Sequence, residues 1–208
     1  MIKIDTGSNT VFRFDDMMDA DTCDQLCQYA LEKLTPKKIN SNLMPWHEKE
    51  TLSWVDIPQP ELKNKIRDYR KRAEQLVRDT MNKDVFIEFT DLVVWRTGRK
   101  MPRHRDDGYN ARDAFRSRKW SSVLYLNDDF EGGETFIKTE NGNDYVSKPK
   151  KGSYVFYYSD PRNEHGVNTV ISGNRVTLPL WFCTDPKMSE DLKLMLAEMT
   201  AKFTAGLV

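Results

Sequence analysis

Between Ser121 and Cys183 the chain is a succession of short apolar runs broken by turn formers, a rhythm that rules out most architectures. Strand-like runs fall at residues 121–127, 135–139, 144–147, 153–158, 168–171 and 175–183. Between them lie Gly132-Gly133, Asn141-Gly142, Pro149 to Gly152 and Ser172-Gly173. Such residues supply the tight reversals of hairpins. Many short strands with regular turn signals and no helices between them predict a double-sheet jelly roll rather than a parallel sheet.

Upstream, the periodicity changes. Thr10-Val-Phe-Arg-Phe14 alternates like a strand. Cys23, Leu26, Cys27, Ala30, Leu31 and Leu34 then recur at helical spacing, with Asp21 and Thr22 where a cap belongs. Thr35-Pro36 stops this helix. Pro60-Glu61 opens a longer one to about Asn82, with Leu62, Ile66, Tyr69, Ala73, Leu76 and Val77 on one face. Residues 85–89 and 91–95 read as two strands. After Asp185-Pro186 a last helix carries Leu192, Met195, Leu196, Met199 and Phe203 as a stripe expected to pack in the core or a dimer. The fold class is mainly β with flanking helices (α+β). We expect one domain over 1–208, with 1–90 as support, 91–184 as the jelly-roll core and 185–208 as a C-terminal helix.

The chemistry-bearing residues lie inside the β-rich part. Residues i and i+2 of an extended segment share a face, so His104 and Asp106 can point at one ion while Arg105 points away. His165, which ends the run Ser159-Asp-Pro-Arg-Asn-Glu-His165, can supply a third ligand. Two imidazoles and one carboxylate suit a non-haem Fe(II) oxygenase centre. Ten residues after His165, Arg175 opens Arg-Val-Thr177-Leu-Pro-Leu-Trp181-Phe182. Its guanidinium fork is a natural anchor for a dicarboxylate. Alone, each feature has a bland reading: a chance HxD triplet in a loop, a surface histidine, a solvated strand end. The third histidine, His47, lies in a stretch of turn formers without a carboxylate at plus two and reads as a loop residue.

Together these features resemble the 2-oxoglutarate- and Fe(II)-dependent dioxygenases, specifically their prolyl 4-hydroxylase branch. The carriers are His104-x-Asp106, the run from Ser121 through Tyr125, Asn127 and Gly132-Gly133 to Phe136, the segment Lys148-Pro-Lys-Lys-Gly152, and His165 with Arg175. The segment from Ser159 to Phe182 resembles the animal oxygen-sensing prolyl hydroxylases in particular. The resemblance implies a double-stranded β-helix core. It also implies His104, Asp106 and His165 as iron ligands, and Arg175, Tyr125 and Thr177 as contacts to 2-oxoglutarate. Trp181, Arg105 and Tyr109 are expected in the substrate pocket, and residues 107–118 as a lid or an ordinary surface loop. The implied activity is hydroxylation of a prolyl residue in a peptide or protein, using O2 and ascorbate and releasing succinate and CO2.

Members often have a tyrosine where Trp95 stands and another near Met101, so the resemblance implies that part of the cosubstrate contacts and of the substrate pocket differ here. Asp106 favours hydroxylation over halogenation, and Trp181, where nucleobase-repair relatives have a second arginine, disfavours that substrate. The alternatives are oxidation of a small molecule or free amino acid, and a non-enzymic jelly-roll metal-binding module.

Lysines and arginines balance aspartates and glutamates at 32 each, which gives no global attraction to nucleic acid. Locally, residues 96–119 hold nine basic against three acidic side chains, either a solvated face or a rim that attracts anions. No apolar run approaches the roughly 18 residues of a membrane span. Three cysteines suggest no disulfide framework. A reduced, cytoplasmic protein, monomer or homodimer, is the expectation.

Overall fold

The computed structural model describes residues 1–36, 49–107 and 115–204. Its elements run β1 (Ile2–Ile4), β2 (Val11–Asp15), α1 (Ala20–Lys33), β3 (Glu50–Ser53), α2 (Pro60–Met81), β4 (Phe86–Arg96), β5 (Met101–His104) and β6 (Arg118–Tyr125). There follow β7 (Glu131–Gly132), β8 (Thr135–Lys138), β9 (Asp144–Ser147), β10 (Tyr154–Tyr158), β11 (His165–Val167), β12 (Val170–Ser172), β13 (Asn174–Cys183) and α3 (Glu190–Thr204). Seven strands form one sheet in the order β1-β2-β10-β6-β13-β4-β3, and β5-β11-β8-β9 form a second. β12 and β7 make a short ladder, and neighbouring strands are antiparallel throughout. This is the jelly roll that the strand rhythm predicts.

The period-2 alternation gives the large sheet two faces with different work. Phe14, Leu92, Val94, Leu124, Tyr154, Phe156, Val176, Leu178, Leu180 and Phe182 meet Leu26 and Ala30 of α1 and Ile66, Tyr69, Ala73 and Val77 of α2 in the main core. Each fully buried side chain of this size contributes about 1.5–3 kcal/mol, so the face against the helices carries the stability. Tyr69 also donates its hydroxyl to Leu178 O at 3.2 Å, tying α2 to the central strand. The opposite face, with Tyr125, Val155, Tyr157, Val93 and Trp95, looks toward the second sheet. Functional side chains can therefore lie on one face without weakening the helix-packed side.

Several expectations change in detail. The cap of α1 is Asp19, whose carboxylate accepts from Thr22 N at 2.8 Å, while Asp21 and Thr22 lie inside the first turn. The two strands expected at 85–89 and 91–95 are one 11-residue strand, β4: Thr90 at the apparent break pairs with Leu180 of β13, and its Oγ1 donates to Glu190 Oε2 at 2.7 Å. The stripe on α3 is not core: Met195, Leu196, Met199 and Phe203 are 49–75% exposed. Cys23, Cys27 and Cys183 are free thiols, and burial pushes Cys23 up to about 12. No described helix is long and apolar enough to cross a membrane. His47, Tyr109 and most of the expected 107–118 lid lie outside the described residues.

Gly132 shows why the Gly-Gly turn was legible. It has φ +70°, and a Cβ there would lie 2.1 Å from Thr169 O across the β7–β12 ladder. Gly132→Ala is expected to destabilise by at least about 2 kcal/mol, combining left-handed backbone strain with a clash against unyielding backbone. The check is the urea midpoint, which should fall with an unchanged slope.

Candidate metal centre

β5 and β11 pair so that His104 and His165 are direct cross-strand partners. The chain leaves β5 at His104, and the backbone N–H groups of Asp106 and Asp107 both donate to Ser159 O at 3.1 Å. That bend brings Asp106 back toward both rings. The result is the one group of three or more metal-capable side chains among the described residues, with donor atoms all within 4.8 Å of one another. His104 Nε2 is 3.4 Å from Asp106 Oδ1, and His165 Nε2 is 3.4 Å from Oδ2.

The far side of each ring decides its tautomer. His104 Nδ1 faces Pro102 O at 2.9 Å and His165 Nδ1 faces Asn163 O at 3.0 Å. A carbonyl oxygen only accepts, so each Nδ1 carries the proton and each Nε2 turns a lone pair to the centre. Asn163 is fixed in turn: its amide donates to Lys138 O at 2.7 Å and Thr10 Oγ1 at 2.8 Å.

Asp106 is equally constrained. Ser121 Oγ donates to its Oδ2 at 2.6 Å, and Trp181 Nε1 donates to the same oxygen at 2.7 Å. Ser121 also meets Ser159 Oγ at 2.8 Å. With Oδ2 occupied by two donors, Oδ1 is the freer ligand atom. Burial opposes ionisation of this carboxyl, but the flanking His165 and His104 outweigh it and hold it well below the usual range. Burial likewise opposes protonation of His104, and Asp106 outweighs that and raises its pKa. One carboxylate beside two imidazoles that both turn Nε2 toward it is a donor set that fits a divalent first-row ion.

Trp181, expected to contact substrate, thus holds a carboxylate oxygen of the triad. Trp181→Phe keeps the aromatic bulk and removes one donor from Oδ2. It should weaken metal binding about tenfold, as loss of an outer hydrogen bond typically does. Calorimetric titration with Mn(II) reads this without turnover.

On the same sheet face, Arg175 is 2% exposed. Its Nη2 donates to Thr135 Oγ1 at 3.0 Å and its Nη1 to Thr177 Oγ1 at 3.5 Å, while Nε has no partner among the described residues. No described carboxylate pairs with this guanidinium. A buried cation in that state is poised for an anion. Tyr125 joins the cluster with its ring 5.2 Å from the guanidinium. Its hydroxyl, expected to be free for a ligand carboxylate, donates to Thr135 Oγ1 at 2.8 Å with Ser147 O at 3.2 Å. Thr135, Ser121 and Ser159 were not singled out from the sequence, since hydroxyl residues in strands look like ordinary β formers. Trp95 and Met101, where relatives often carry phenols, are buried with Val93 and Val170.

Four of the nine basic residues in the run at 96–119 have carboxylate partners. Arg96 pairs with Glu50 at 2.8 Å, Arg103 with Asp144 at 2.7 Å, Arg105 with Asp107 at 3.3 Å and Arg118 with Glu88 at 3.3 Å. These four are therefore not bare charges, and Arg105 faces its near neighbour Asp107.

Residues 90–183 match the family model described as the 2OG-Fe(II) oxygenase superfamily. Human prolyl 3-hydroxylase 2 is 42% identical over 91 residues, which is 42% of this chain and 13% of the relative. The chain thus spans a small part of the length of the curated relatives it matches. Two solved structures share the fold. The viral collagen prolyl hydroxylase of Paramecium Bursaria Chlorella virus-1, in its 2OG complex, aligns at TM-score 0.64 and 20% identity, covering 86% of this chain and 99% of that one. A Trichoplax adhaerens prolyl hydroxylase, in complex with a hypoxia inducible factor oxygen degradation domain peptide fragment, aligns at TM-score 0.60 and 15% identity, covering 86% and 85%. Residues 90–183 of this chain are thus similar to the 2OG-Fe(II) oxygenase superfamily, and its fold is that of the prolyl hydroxylase structures.

Proposed function

We propose that the protein is a 2-oxoglutarate- and Fe(II)-dependent oxygenase that hydroxylates a prolyl residue in a peptide or protein, releasing succinate and CO2. The observation that carries this reading is the conjunction of a His-Asp-His donor set with a buried guanidinium that lacks a carboxylate partner among the described residues. The family-model match over residues 90–183 and the prolyl hydroxylases among its relatives and fold neighbours support it.

In this reading His104 Nε2, His165 Nε2 and Asp106 Oδ1 hold the ion, with the backbone carbonyls of Pro102 and Asn163 keeping both rings in the ligating tautomer. Bound iron supplies the activation of dioxygen that couples decarboxylation of 2-oxoglutarate to oxidation of a C–H bond. Arg175 binds the far carboxylate of the keto acid, and Thr135, held by Tyr125, orients the guanidinium fork. Tyr157, whose ring centroid lies 4.6 Å from that of His165, together with Val93 and Trp95 keeps water from the apolar side of the site.

The test combines the protein with Fe(II), ascorbate, O2 and 2-oxoglutarate, first alone and then with prolyl peptides. Succinate should form in both cases, and the peptide should gain one oxygen atom by mass spectrometry. Fragmentation then assigns C3 or C4 of the ring. No succinate under either condition would refute the oxygenase reading and leave the metal-binding module.

A further inference from the structure

One cation at the site has no role in this account. Lys49, half-buried just ahead of β3, places its ammonium 5.5 Å from the centroid of the Trp181 ring, the indole that holds Asp106. Through that ring it lies near Asp106, whose Oδ2 accepts from Trp181 Nε1 at 2.7 Å. Burial pushes its pKa below the usual lysine value, with Asp91 and Asp106 opposing. Yet no described carboxylate forms an ion pair with it. The neighbouring arginines are satisfied by Glu50, Asp144, Asp107 and Glu88, and Lys49 is not. A partly desolvated ammonium of this kind favours an incoming anion.

Arg175, 2% exposed, is the deeper of the two cations and takes the far carboxylate of the keto acid in that reading. Lys49 lies instead against an aromatic wall. Phe89 is 39% exposed, is the cross-strand partner of Trp181, and has its ring centroid 5.8 Å from that of Trp181. An exposed ring such as that of Phe89 suits a prolyl ring, whereas the Trp181 ring also carries the Arg118 guanidinium 4.7 Å from its centroid. A flat apolar wall with a cation against it fits a proline that has a carboxylate close by.

We propose that Lys49 selects the substrate: its ammonium, set against the Trp181 indole beside Asp106, pairs with a carboxylate carried by the substrate next to the prolyl ring. This rests on the oxygenase reading above and adds the substrate class to it. Two sources share that chemistry, an acidic side chain flanking the proline and the free carboxylate of a C-terminal or free proline.

The test uses two matched pairs of fluorescent peptides with the Mn(II)- and 2-oxoglutarate-loaded protein. One pair is end-capped and carries Asp or Asn beside the proline; the other ends in proline as acid or amide. Binding is read by anisotropy, so the outcome does not depend on turnover, and succinate formation by the Fe(II) protein is followed separately. The charged member of at least one pair should bind about tenfold tighter, the pair identifying the source. Lys49→Met should bring that ratio close to one, and Lys49→Arg should retain it. Equal binding of charged and neutral peptides in both pairs would overturn the proposal, as would a ratio that survives Lys49→Met. A loss in Lys49→Met confined to 2-oxoglutarate affinity would also overturn it, assigning the ammonium to the cosubstrate. Absence of succinate with a preserved charge preference would instead sink the oxygenase reading alone.

Discussion

Asp106→Ala is expected to lower 2-oxoglutarate turnover at least about 10³-fold, with or without peptide, beyond the roughly 10–100-fold that follows loss of an outer-shell partner. Asp106 is the anion of the triad, lying 3.4 Å from each Nε2. Without it two neutral imidazoles face a dication, and the centre loses both charge balance and a third ligand. The substitution also strips the acceptor from Ser121 Oγ and Trp181 Nε1. Stability should therefore fall by about 1–3 kcal/mol for the donors left without it. Asp106→Asn separates the two effects, because the amide keeps the shape and an acceptor oxygen while removing the charge. Circular dichroism should show both variants folded, and succinate should be absent from both. Turnover by either variant above about 10% of wild type would remove Asp106 from the ligand set.

The second large effect is on the cosubstrate. Arg175→Met should raise the Michaelis constant for 2-oxoglutarate about 100-fold, the loss expected when one or two hydrogen bonds to a charged ligand disappear. Turnover at saturation should change far less. The buried guanidinium has no carboxylate partner among the described residues, so the volume-matched thioether need not destabilise the ligand-free protein. Thermal melts make this visible without catalysis. 2-Oxoglutarate at 100 times its dissociation constant should stabilise wild type by about 2.7 kcal/mol and the variant very little. Equal stabilisation of both would contradict the role given to Arg175.

How far the sequence reached depended on the range over which each interaction acts. Gly132-Gly133 and the strand rhythm were readable because turn geometry is local, and His104-x-Asp106 because its spacing is two residues. Even there the reason differed in part: β5 ends at His104, and Asp106 is turned inward by the carbonyl of Ser159 rather than by the pleat alone. His165 and Arg175 were readable through the resemblance and their mutual spacing. What stayed hidden depends on partners remote along the chain. The run at 96–119 reads from the sequence as a solvated face or an anion-attracting rim, because Glu50, Glu88 and Asp144, the partners of Arg96, Arg118 and Arg103, are remote along the chain. Trp181 reads as a pocket residue, and the further task of its indole N–H, serving an oxygen 75 positions away, does not show in the sequence. Lys49 carries no motif at all. Periodicity identified the apolar stripe of α3, but amphipathicity alone does not determine whether a neighbour covers it.

The most direct test is an anaerobic calorimetric titration of 2-oxoglutarate into the protein with and without one equivalent of Fe(II). A single site per chain, tight with the metal and weakened about 100-fold or more without it, is the predicted result. Binding of equal strength in both conditions, or none in either, would contradict a keto-acid site shared between the His104, Asp106 and His165 centre and Arg175.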